Sequence, residues 1–171
     1  MDEGFTSYAD DRISAFLSGK TTGFMHDGSY RGYFSLVKSG KEEPLTTHAD
    51  HVNTNFAYRA AAYSKGAVFL EQLGYIVGAD VRDRILLDYY RQWRFKHPNV
   101  NDFIRIAEKN SDIELDWYKE YWVNDTRTID YAFDSLLEEG GKSLIRVKRV
   151  GLMHMPIDLQ LTFRDGSSEM H

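Results

Sequence analysis

The run from Tyr58 to Leu73, Y-R-A-A-A-Y-S-K-G-A-V-F-L-E-Q-L, constrains the chain more than any other stretch. Its alanines and leucines carry strong helix propensity, and Phe69, Leu70, Leu73 and Ile76 recur at three- and four-residue steps, so the spacing predicts a largely buried helix. Gly66 lies inside that pattern, where glycine costs about 1 kcal/mol relative to alanine. Its presence predicts another backbone passing too close to admit a Cβ. Just ahead stands Tyr63, whose phenolic O–H can donate a hydrogen bond to an oxygen that gains negative charge during a reaction.

Around this run the apolar spacing predicts further helices. Phe5, Tyr8, Ala9, Ile13, Phe16 and Leu17 form a stripe closed by Gly19. Lys20 to Ser29 reads as loop, with Ser29 placed to cap a short helix that runs through Tyr33, Phe34 and Val37 to Gly40. Lys41 to Phe56 reads as an irregular connection. Gly74 and Gly78 break the next pattern, after which Asp80 is placed to cap a helix carrying Val81, Ile85, Leu86, Tyr89, Tyr90 and Trp93. Pro98 bars its continuation. Asn101 or Asp102 then opens a helix through Phe103, Ile104 and Ala107, and a short one follows with Leu115, Trp117, Tyr118, Tyr121 and Trp122. Near Asn124 the period drops from 3.6 to 2. Ile129–Leu137 and Lys142–Gly151 flank a Gly140-Gly141 turn, and Ile157, Leu159, Leu161 and Phe163 alternate with polar residues before Asp165-Gly166, all as strands do. The fold class is therefore mainly α followed by antiparallel strands, with a helical part over 1–124 and a β part over 125–171.

Composition narrows the partners. A net charge of -5 with a pI near 5.7 argues against nucleic acid, since no basic stripe runs against that balance. No apolar run approaches the roughly eighteen residues of a membrane span. Cysteine is absent, which excludes thiolate metal sites and leaves the compartment open. His48 and His51 beside Asp50 invite a metal reading, but no third ligand at sequence range completes a set, so they read as ordinary loop histidines. Arg59 reads as a solvated or ion-paired arginine, with a substrate carboxylate as the alternative partner.

Two short motifs add a resemblance. Tyr63-Ser64-Lys65-Gly66-Ala67 resembles the Y-x-K-G-A segment of the M1 family of zinc aminopeptidases, and Glu3-Gly4-Phe5-Thr6-Ser7-Tyr8 is similar to the E-G-F-x-x-Y end of that family's zinc signature. They occur in the family's order, and the likeness extends from Glu3 to about Gly166. It implies that Glu3 is the carboxylate ligand of a catalytic zinc, that Tyr63 stabilises the tetrahedral oxyanion, and that Tyr58, five residues earlier, is a weaker match to a second active-site tyrosine. It also implies the helical subdomain of a thermolysin-like catalytic domain, followed by the opening strands of a small, incomplete β-sandwich.

The family's H-E-x-x-H helix, with two histidine ligands and the general base, belongs roughly eighteen residues before Glu3. On this reading the chain is a fragment of an enzyme that removes N-terminal residues from peptides, inactive and weakly metal-binding by itself, whose exposed strand edges invite dimerisation. The competing expectation is a non-catalytic, peptidase-like helical module used for protein interaction. If Glu3 and Tyr63 serve one centre, their helices are neighbours, with a separation of about 5–9 Å from carboxylate to hydroxyl. Tyr58 joins them only if the chain ahead of Tyr63 is not yet helical, because five residues of ideal helix turn a side chain by about 140°.

Overall fold

A computed structural model describes residues 2–19 and 25–171, which divide into two compact units, Met1–Thr126 and Arg127–His171. The first unit is helical. It contains α1 (Asp2–Leu17), α2 (Asp27–Ser39), a 3₁₀ turn (Ala49–His51), α3 (Asn55–Arg59), α4 (Gly66–Val77), α5 (Ala79–Trp93), α6 (Val100–Ser111) and α7 (Asp116–Lys119). Two stretches depart from α geometry: Ala60–Lys65, between α3 and α4, and Glu120–Asn124, after α7, are π-helical, with hydrogen bonds from i to i+5.

The run that organises the sequence also organises the core. Ala67, Val68, Phe69, Leu70 and Leu73 of α4 are wholly buried among Leu36, Ile85, Phe103, Ile104, Leu115, Tyr118 and Trp122. Tyr118 donates its hydroxyl to the carbonyl of Phe69 at 2.5 Å and packs its ring 5.2 Å from that residue's, so a polar atom at the centre of the core is satisfied. The Gly66 expectation holds, with its neighbour identified. A Cβ there would meet the Cα of Gly4 at 2.8 Å, and one on Gly4 would meet Gly66 at 2.5 Å. Helices α1 and α4 thus cross backbone to backbone at their first turns.

Several boundaries differ from the sequence reading. The loop expected at Lys20 to Phe24 lies outside the described residues. Helix α2 begins at Asp27, so Ser29 is no cap; its hydroxyl donates to Asp11 at 3.0 Å instead. Gly74 does not interrupt α4, which continues to Val77; the missing Cβ leaves room for the Arg82 guanidinium. Gly78, at φ 89°, precedes α5, and Asp80 lies within its first turn without capping it. Helix α6 opens two or three residues earlier than read, because Asn99 and Asp102 form a reciprocal capping box. The irregular connection ends at Thr54, whose hydroxyl accepts from the Ala57 amide at 3.1 Å and starts α3.

The second unit is two antiparallel pairs. Strand β1 (Tyr131–Glu139) pairs with β2 (Lys142–Arg149) around Gly140 and Gly141, whose φ values of 59° and 75° suit a tight hairpin turn. A bulge interrupts the register between Phe133 and Ser135. Strands β3 (Gln160–Thr162) and β4 (Ser168–Met170) form a shorter pair than the alternation from Ile157 suggested. The architecture is mainly helical with small antiparallel sheets.

Candidate active site

Glu3 occupies the first turn of α1 and Tyr63 the π-helical turn ahead of α4. Because the two backbones touch at Gly4 and Gly66, the first turns of the two helices lie side by side and the Tyr63 hydroxyl comes within electrostatic reach of the Glu3 carboxylate. Interaction with Glu3 is the foremost reason the phenol is held above its ordinary range, since ionising it would put two anions face to face. Glycine at both crossing positions lets the helices approach nearer than side-chain packing allows.

Tyr58 also faces this pair, and the expectation about its geometry is corrected. The chain from Asn55 to Val77 is helical throughout, yet the widened turn brings residues i and i+5 towards one face, so Tyr58 and Tyr63 come within electrostatic reach of each other. Arg59, four residues before Tyr63, opposes the upward shift of its hydroxyl. It is exposed and forms no ion pair among the described residues. A cleft of about 220 Å³ opens beside the pair, lined by Asp2, Glu3, Glu43, Pro44, Tyr58 and Ala61. A larger groove of about 880 Å³ runs over Phe5, Leu86, Tyr89, Trp93, Pro98 and Phe103, and neither Glu3 nor Tyr63 reaches it.

Helix α1 is anchored, beyond its first turn, by a partly buried polar network built around the buried Tyr8, His26 and Arg82. The Tyr8 ring stacks on His26 at 4.6 Å; His26 Nδ1 lies 2.9 Å from Asp11; Arg12 grips Asp83 through two bonds, at 2.5 and 3.0 Å; Arg82 reaches Glu71 at 2.9 Å. These contacts tie α1 to α2, α4 and α5.

Sequence reasoning passed over Lys65 and Glu42. Lys65 is 1% exposed, its Nζ lies 2.7 Å from a Glu42 carboxylate oxygen, and it donates to the Asp125 carbonyl at 3.0 Å. The signal was present: a lysine inside an otherwise apolar, alanine-rich run needs a buried anion.

As to metal, Glu3 offers one carboxylate, and no converging group of three ligating side chains among the described residues includes it. His48 and His51 pair ring to ring at 5.6 Å in the exposed turn, where His48 accepts from the Asp50 amide at 3.3 Å. The cluster that does converge among the described residues is Glu108, Glu114 and Asp116. Its carboxylates are engaged locally, with the amides of Leu115 and Asp116 and with Lys119. The described residues therefore do not build a zinc centre by themselves, and Glu3 could supply at most one ligand of such a set.

Glu3 and Tyr58 line a small cleft that also carries Asp2 and Glu43, and comparison with known proteins points, distantly, to peptidases. Over 129 residues, 71% of the chain, it is 29% identical to aminopeptidase B of Homo sapiens and of Mus musculus, and 28% identical to aminopeptidase B of Rattus norvegicus. The similarity is distant and partial: the chain spans 18% of the length of these relatives. No protein-family profile matches the chain. No solved structure matches it either.

Proposed function

We propose that this chain forms part of the catalytic domain of a zinc aminopeptidase of the M1 type, contributing the carboxylate ligand Glu3 and the oxyanion donor Tyr63. The observation that supports this reading is the Gly4–Gly66 crossing, which sets the first turns of the two motif-bearing helices side by side, with the Glu3 carboxylate within electrostatic reach of the Tyr63 hydroxyl although 60 positions separate them in sequence. The zinc would polarise the scissile carbonyl and activate water. Within this chain, the one phenolic proton of Tyr63 would be donated to the oxygen that becomes negative, Glu3 would be engaged with the metal, and Tyr58 would be a second donor. The cleft beside Asp2, Glu3 and Glu43 is acidic, which suits the ammonium group of a peptide N-terminus. The 1–124 segment would be the helical part of that domain and 125–171 the start of a β-sandwich.

The test uses the longer polypeptide encoded with this segment, assayed for bound zinc and for hydrolysis of aminoacyl amides. Glu3→Gln loses zinc, whereas Tyr63→Phe keeps zinc and loses about 10²–10³ in kcat. Hydrolysis unchanged by Tyr63→Phe, or a zinc-free and inactive polypeptide, refutes the reading; the latter result favours a peptidase-like interaction module.

A further inference from the structure

We propose that the buried Lys65–Glu42 ion pair holds the Ala60–Lys65 turn in its widened register and thereby sets where the Tyr63 hydroxyl stands, making Lys65 and Glu42 positioning residues. A π-helical turn is rare and gives way to ordinary α geometry unless something fixes it. Here the fixing is visible. Lys65 is the last residue of the turn, its ammonium is held at 2.7 Å by Glu42 and at 3.0 Å by the Asp125 carbonyl, and both charged side chains are buried, at 1% and 6% exposure. Burying such a pair costs about as much as the attraction returns, so its value here lies in specifying one geometry.

The pair binds together the parts that make the cleft. Glu42 lies in the connection after α2, and Glu43 next to it accepts from the Asn53 backbone and side-chain amides at 3.0 and 2.9 Å. Pro44 and Leu45, which follow, line the cleft beside Glu3 and Tyr58. The Asp125 carbonyl stands just beyond the second π-helical stretch, Glu120–Asn124. On the opposite side, Ser64 fits against the bare backbone of Gly32 in α2. If the turn relaxed to α geometry, its extra residue would have to be absorbed. Tyr63 would rotate by about 100° relative to α4, away from Glu3 and out of line with Tyr58.

The relevance of this device to catalysis rests on the peptidase reading, but its test does not. The 171-residue chain is followed by NMR, with the Tyr63 ring assigned from Tyr63→Phe and its neighbours read as NOEs. In the native chain the ring shows NOEs to the first turn of α1, where Gly66 meets Gly4. In the double variant E42L/K65M, which removes both charges and strands neither, the chain stays helical by circular dichroism. There the backbone NOE pattern of residues 60–65 changes to that of an ordinary α-helix, and the Tyr63 ring loses its NOEs to α1. A turn that keeps its widened pattern, with the Tyr63 ring still against α1, overturns the proposal. So does a double variant that fails to fold, because the pair would then be holding the whole unit and not one turn.

Discussion

At the residue scale, the contact between Gly4 and Gly66 decides whether Glu3 and Tyr63 can meet. Alanine at position 66 would gain about 1 kcal/mol of helix propensity, but its methyl would enter the Gly4 backbone, and neither backbone can give way as a side chain could. Overpacking of this kind costs about 1–3 kcal/mol, so Gly66→Ala and Gly4→Ala are both expected to lower stability in urea unfolding and to remove the NOEs between the first turns of α1 and α4. Gly28 in α2 is the control, since a Cβ there meets nothing within 4 Å. Gly28→Ala is expected to gain up to about 1 kcal/mol. The close approach was legible because a glycine inside a strong helix former is a local anomaly. Its neighbour was not legible, since nothing in residues 60–70 points to Gly4. Nor was Glu42 as the partner of Lys65: the two lie 23 positions apart, and Glu43 next to it makes an equally good candidate on paper.

At the element scale, the helices were legible wherever apolar residues recur at 3.6, and their ends less so. A cap is decided by which side chain reaches an amide, and several polar residues usually compete. Ser29, Asp80 and Asn101 each had suitable chemistry, yet Ser29 is drawn to Asp11 and the start of α6 falls to Asn99, whose side chain accepts from the amides of Asn101 and Asp102 at 2.8 and 3.4 Å. Asp102 returns a bond to the Asn99 amide at 2.9 Å. Asn99→Ala should therefore cost about 1 kcal/mol and speed amide exchange in the first turn of α6, whereas Asn101→Ala should leave that turn unchanged. Equal effects would mean that the box does not start the helix. The π-helical turns were the least legible elements, because one extra residue barely disturbs an apolar stripe. The five-residue step from Tyr58 to Tyr63 was their one trace, and it entered only as a condition, that Tyr58 joins if the chain ahead of Tyr63 is not yet helical.

At the scale of the molecule, the helical unit buries an unusual set of phenols, and this makes its stability depend on pH from the alkaline side. Burial pushes the Tyr8 hydroxyl up to about 12, with Arg82 nearby pulling it back, and burial drives Tyr118 and Tyr33 upward as well. In the unfolded chain the same groups ionise near 10. A folded-state value above the unfolded one means that the folded state keeps its protons longer. The stabilisation is therefore complete below about pH 10 and is lost as pH climbs through the folded values, with Tyr8 at about 12. Helical circular dichroism is expected to hold up to the ordinary tyrosine range and then collapse cooperatively, together with a jump in tyrosinate absorbance. Smooth titration near 10 with the helices intact would contradict it. Tyr118 sharpens the test. Its phenylalanine variant gives up the bond to the Phe69 carbonyl and should be about 1 kcal/mol less stable at neutral pH. With one fewer buried hydroxyl to ionise, its deficit relative to the native chain should shrink steadily as the solution becomes alkaline. A deficit that stays constant across that range would mean that the buried phenol is not among the groups whose protonation holds the unit together.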